Sequence, residues 1–187
     1  MPTGKTAYLL VGPRAAGKST YCEKLAKIQK GLVIVSRDRI MIEQFGSDHS
    51  SGYGGEHAGA YEIMWGMVHR ELAKTDDAVL VLDSWTGRSA ERRMITEKLR
   101  AYGAGRIVAL FFVTPLKYVN KWFWEKPGIA RIGEMRVKRS EDGWVFYCDD
   151  APARDYDLFY ELAAGIESDG FDGIIYVNPL QEFLPFK

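Results

Sequence analysis

Four things are scarce in this sequence, and each scarcity excludes something. There are two cysteines, Cys22 and Cys148, far apart and without CxxC spacing, which argues against a disulfide framework or a zinc site and for reduced thiols. The three histidines, His49, His57 and His69, show no ligand spacing with one another or with carboxylates. Net charge is zero, with 25 Lys+Arg against 25 Asp+Glu, so any nucleic-acid contact must come from a local patch and not from bulk attraction. No apolar run approaches the length of a membrane-spanning helix, and Met1-Pro-Thr-Gly-Lys leads straight into a strand with no signal-peptide core. The expectation is a soluble cytoplasmic protein, away from membranes, with nothing that calls for an obligate protein partner.

Apolar residues, by contrast, are plentiful. The chain has 187 residues, 47% of them hydrophobic and 13% aromatic, enough to bury one sizeable core. No repeat, low-complexity tract or composition shift divides it, so residues 1–187 are expected to form a single domain.

The most informative stretch is Ala7 to Tyr21. The apolar run Tyr8 to Val11 ends in Gly12-Pro13-Arg14-Ala15-Ala16-Gly17-Lys18-Ser19, which meets the phosphate-loop pattern GxxxxGK[ST] at every fixed position and continues into Thr20. Beyond it Tyr21, Cys22, Leu25 and Ile28 recur at helical spacing, so the motif lies between a strand and a helix. In such a loop the backbone N–H groups turn inward onto phosphate oxygens, and the helix N-terminus adds its positive dipole. Gly12 to Thr20 is thus the candidate nucleotide site. Lys18 is expected to reach the β- and γ-phosphates of ATP, and the Ser19 hydroxyl to bind the accompanying Mg2+. An ordinary glycine turn would not require Lys-Ser after its last glycine.

Further strands are expected at Leu32–Ser36, Ala78–Leu82, Arg106–Val113 and Ile174–Val177, alternating with helices. This predicts an α/β fold of the three-layer phosphate-loop NTPase type, with a five-stranded, mainly parallel sheet and helices on both faces. Residues at the C-terminal ends of parallel strands face the ligand crevice. Asp38, after the second strand and just ahead of a short helix expected at Arg39–Phe45, is therefore placed near the phosphate loop. Asp83, after the third, reads as the acid that holds the metal or its water. The glycine- and serine-rich Gly46–Gly55 reads as a connector or a flap.

Late in the chain, Lys126 to Arg139 carries five bases against Glu134, and Glu141 to Asp172 carries ten acids against Arg154. Residues of about 126–150 read as a lid-like insertion containing a hairpin that turns at Asp142-Gly143. Arg131 is the lid arginine expected to act on the transferring phosphate. Phe111, Phe112, Trp122, Phe123 and Trp124 are expected in packing.

Taken together, Gly12 to Thr20, Val35-Ser-Arg-Asp38 and Leu82-Asp83-Ser84 followed by Glu91-Arg92-Arg93 resemble the polynucleotide kinase family of phosphate-loop kinases, the kinase domain of phage and bacterial end-healing enzymes. The likeness spans Ala7 to about Trp124. It implies an ATP-dependent phosphotransferase that phosphorylates the 5′-hydroxyl of RNA or DNA, with Asp38 as general base. Three departures stand out. The family's basic residue three positions after the base is Met41 here, with Arg37 and Arg39 as candidate substitutes for holding the substrate's phosphate. The family's Asp-Thr-Asn becomes Asp83-Ser84-Trp85, with a longer link to Arg92, and the lid is larger. A small-metabolite or nucleoside kinase, or a non-catalytic ATP-binding switch, are the alternatives on the same scaffold.

Overall fold

The computed structural model describes residues 4–46, 55–126, 129–132, 135–140 and 143–181. Strand β1 (Thr6–Val11) is buried at every position. Its alternate side chains serve two cores, which is what a strand sandwiched between helical layers requires. Ala7, Leu9 and Val11 pack with Met64, Val68 and Leu72 of α3 (Gly55–Lys74), Ile95 and Leu99 of α4 (Ser89–Ala101), and Phe159 of α6 (Ala151–Leu162). On the other face Tyr8 and Leu10 meet Cys22 and Leu25 of α1 (Lys18–Ile28). Each fully buried leucine here contributes roughly 1.5–3 kcal/mol.

The main sheet contains β1, β2 (Val33–Ser36), β3 (Val79–Asp83), β4 (Arg106–Phe112) and β8 (Gly173–Val177), in the order β2-β3-β1-β4-β8. All four pairings are parallel, as the alternation of apolar strands with helices predicts. The expected α/β architecture is therefore the observed one. Because β3 lies between β1 and β2, the residues after β3 fall directly between the phosphate loop and the end of β2.

Two local readings are corrected. The short helix α2 (Arg37–Phe45) begins two residues earlier than expected, so Asp38 sits in its first turn and not on the strand end. Ser36 is the reason: its Oγ accepts from the Arg39 N–H at 3.4 Å and caps the helix immediately. The lid contains three strands where one hairpin was expected. After α5 (Leu116–Trp124), β5 (Ile129–Ile132), β6 (Met135–Ser140) and β7 (Gly143–Tyr147) form a separate antiparallel sheet. The β6–β7 ladder closes with Ser140 opposite Gly143, while Asp142 of the expected turn lies outside the described residues. So do 47–54, which hold most of the expected Gly46–Gly55 loop.

Candidate active site

The loop that follows β1 is held from both sides. Thr86 Oγ1 donates to the Leu10 carbonyl at 3.0 Å, and Thr114 Oγ1 donates to the Ala16 carbonyl at 2.8 Å; both threonines are buried. Ala15 has φ 59° and Gly17 φ 85°, so left-handed residues alternate with ordinary ones and turn successive N–H groups to one side. Gly17 is required twice over. Its φ disfavours any side chain, and a Cβ there would lie 3.2 Å from the Trp122 ring.

Lys18 donates from Nζ to the carbonyls of Gly12 and Pro13 at 2.8 Å each. Burial lowers its pKa, while Asp83 and Asp38 pull the other way. Burial likewise raises the Asp83 carboxyl, opposed by Lys18. Ser36 Oγ donates to Asp83 Oδ2 at 3.3 Å, so the residue that caps α2 also fixes the acid at the end of β3. Asp38 is exposed at the mouth, where Arg37 Nε donates to its Oδ1 at 3.0 Å.

These groups share one cleft of about 1330 Å³. All of Gly12 to Thr20 lines it, as do Arg37, Asp38 and Asp83. Arg39 does not line it: two residues on in a helix it points elsewhere, and its charge acts on Cys22 instead. Met41 is fully buried in the core, which leaves no room for a base at that position. Arg14 points away from the acids, 3.6 Å from Asp155 and over the Phe123 ring. Arg131 lies in β5 opposite Arg136, and its side chain is outside the described residues. Arg136 turns back on the lid, pairing with Asp149 at 3.1 Å and covering Trp124. Lys126 and Lys138 bring the lid's charge to the cleft.

Sequence reasoning missed Trp85, Thr86 and Arg88, which line the wall between β3 and α4, and the role of Trp122 over Gly17. The lengthened Asp83–Arg92 link was the signal for the first three. Nothing in the pattern marked Trp122, whose helix position reads as packing like that of Phe123.

No group of three or more His, Cys, Asp or Glu among the described residues could hold a metal. The exposed Ser19 hydroxyl and the Asp83 carboxylate are a hard oxygen set that suits Mg2+, which keeps several waters and takes few protein ligands. Ser84 Oγ, buried beside Asp83 without a hydrogen-bond partner, adds a polar atom in need of one. The residues present therefore fit a magnesium nucleotide.

A family model described as AAA domain matches residues 8–131, which takes in the loop, both acids and the start of the lid. The chain belongs to the AAA domain family. None of the curated proteins matches it. Among solved structures, this AAA domain is similar to a chain of the Pnkp1/Rnl/Hen1 RNA repair complex, at 17% identity and a TM-score of 0.63, over 87% of this chain and 46% of that one. It therefore spans less than half of that chain's length. It is also similar to a fungal RNA kinase (12% identity, TM-score 0.55, 98% of this chain and 78% of that one). The Deinococcus radiodurans tunicamycin resistance protein is a third (16%, 0.55, 93% and 86%). What is shared at these identities is the fold. No described helix is long and apolar enough to cross a membrane.

Proposed function

We propose that this protein is an ATP-dependent kinase that transfers the γ-phosphoryl group to the 5′-hydroxyl of a polynucleotide. The observation that carries the reading is the meeting of Lys18, Asp83 and Asp38 in one cleft, with Arg37 and Arg88 on the acceptor side. The likeness in fold to a chain of the RNA repair complex and to a fungal RNA kinase supports a polynucleotide as the acceptor.

The loop amides of Gly12 to Thr20 would cradle the phosphates, and Lys18 would exchange its two backbone carbonyls for phosphate oxygens. Ser19 and, through water, Asp83 would hold Mg2+, which when bound neutralises charge on the β- and γ-phosphates. Asp38 orients the acceptor hydroxyl and takes its proton as the new O–P bond forms and the bond to the β-phosphate's bridging oxygen breaks, releasing ADP. Arg37, paired to Asp38, aims the carboxylate and is available to the acceptor's first phosphate; Arg39 is left out. From the lid, Arg131 would stabilise the equatorial oxygens. Phosphoryl transfer makes few covalent demands on a protein, so positioning and charge supply most of the rate.

The test is transfer of label from γ-labelled ATP and magnesium to 5′-hydroxyl RNA and DNA oligonucleotides. Asp38→Asn should lose about 10²–10⁴-fold in rate while still binding ATP, and Lys18→Ala about 10²–10³-fold. Full activity in Asp38→Asn removes that residue from the mechanism. A second reading, phosphorylation of a small acceptor, is favoured by the near-complete mutual coverage with the tunicamycin resistance protein; it predicts label on a small alcohol and on neither polymer.

A further inference from the structure

The order β2-β3-β1-β4-β8 divides the cleft at the phosphate loop. On the β4/β8 side lie Trp122, Tyr176 and Pro179; on the β2/β3 side lie Asp38, Arg88 and Trp85. Ser36 and Asp83 stand opposite one another in the β2–β3 register, so Asp38, in the first turn of α2, and Trp85, in the loop after β3, follow adjacent strand ends, and both line the cleft. Trp85 is 49% exposed there, whereas Trp65 in the core is 7% exposed. Tyr176, on the β4/β8 side, is also exposed in the cleft, and Trp85 is a large aromatic open to water on the β2/β3 side, with an apolar face free to pack against a ligand.

The segment carrying it is rigid. Arg92, fully buried, donates from Nη1 to the carbonyls of Thr86 (3.0 Å) and Gly87 (2.7 Å), from Nη2 to Leu162 (3.1 Å) and from Nε to Asp169 (2.6 Å). Thr86 is tied in turn to β1. The Trp85 ring lies back over Gly87, where a Cβ would come within 2.6 Å of it, so the loop sets the ring's orientation. Binding to such a preset surface loses little side-chain freedom.

Resting on the kinase reading above, we propose that Trp85 is the stacking platform for the acceptor, and that the acceptor therefore carries a planar, nucleobase-like ring next to the hydroxyl presented to Asp38. The ring lies on the indole, Arg88 flanks it for the adjoining phosphate, and the hydroxyl is delivered to the carboxylate. A face of π-electrons accepts any base, so the platform selects for the presence of a ring and not for its identity.

The experiment compares two single-stranded oligonucleotides, one with an ordinary 5′-terminal nucleoside and one with an abasic 5′ residue. Wild type, Trp85→Ala and Trp85→Phe are tested on each for transfer (acceptor KM) and for equilibrium binding by fluorescence anisotropy. The wild type should favour the base-bearing end by about tenfold. Trp85→Ala should treat the two ends alike to within about twofold, and Trp85→Phe should retain most of the preference. Discrimination that survives in Trp85→Ala, or its absence in the wild type, overturns the platform while leaving the kinase reading intact. Oligonucleotides that bind but take no label refute polynucleotide transfer, and the platform is then judged on the binding ratio alone. Absence of both binding and transfer refutes both.

Discussion

Asp172 shows how a single carboxyl can be held against its burial. Burial pushes its pKa up, yet the Ile107 N–H, donating at 2.6 Å, and the Arg100 guanidinium bring it below the ordinary carboxylate value. A depressed acid stabilises the fold above its unfolded pKa, near 4, and loses that contribution as pH falls through the folded value. The group is partly exposed, so the gain is limited to about 1 kcal/mol. Asp172→Asn should therefore melt roughly 2–4 °C below wild type at pH 7. The gap should close as pH falls below about 4; a gap independent of pH would mean that the carboxylate's charge is not what binds α4 to β4. Cys22 illustrates the opposite case: burial pushes its thiol up to about 12, so it behaves as a small core residue on α1 and not as a nucleophile.

At the scale of elements, α4 and its preceding loop depend on one buried ion pair. Arg92 serves four acceptors in a fixed fork, and Asp169 receives from Ser89 and Arg92 while its backbone carbonyl accepts from Thr96. Removing one partner leaves an uncompensated buried charge, so Arg92→Ala should cost about 3–5 kcal/mol in chemical denaturation. Arg92→Lys should recover little, since a single ammonium cannot reproduce the planar fork; near-full recovery would reduce the site to simple charge neutralisation. In the sequence, Glu91-Arg92-Arg93 was legible as part of a family resemblance, and the structure gives Arg92 the job of clamping the Trp85–Arg88 segment. The elements themselves were largely legible. Runs such as Val79 to Leu82 are apolar at successive positions because both faces of the sheet are covered, and Cys22 and Leu25, at helical spacing, marked the inward face of α1, while Ile28 at its end is exposed. The third lid strand was not, because β5 is four residues with Arg131 in the middle and draws its pairing from β6. The start of α2 was displaced because a serine in a strand-like run gives no sign that it will act as a cap.

Over the whole molecule, zero net charge conceals a segregation of bases and acids along the chain. The lid contributes Lys126 and Lys138 to the cleft, the β2/β3 side Arg37 and Arg88, and the acid-rich α6 segment Asp155, which faces Arg14. The phosphate loop, both acids and Arg37 were legible because a motif and two strand ends fix them. The wall of Trp85, Thr86 and Arg88 was not, since it depends on β3 lying between β1 and β2, a matter of sheet order that no local pattern encodes. With Arg37, Arg88, Lys126 and Lys138 in reach, binding of a single strand should neutralise about two or three phosphates. The logarithm of the association constant should then fall with the logarithm of salt at a slope of about −1.4 to −2. Arg88→Ala and Lys138→Ala should each flatten the slope by about 0.7, additively, because they stand on opposite walls. A small uncharged acceptor would give no such slope, and KM values flat in salt would move the assignment to that class. If instead the slope is steep in wild type and indifferent to both changes, the polymer is bound outside the cleft, where neither Asp38 nor Trp85 can act on its end.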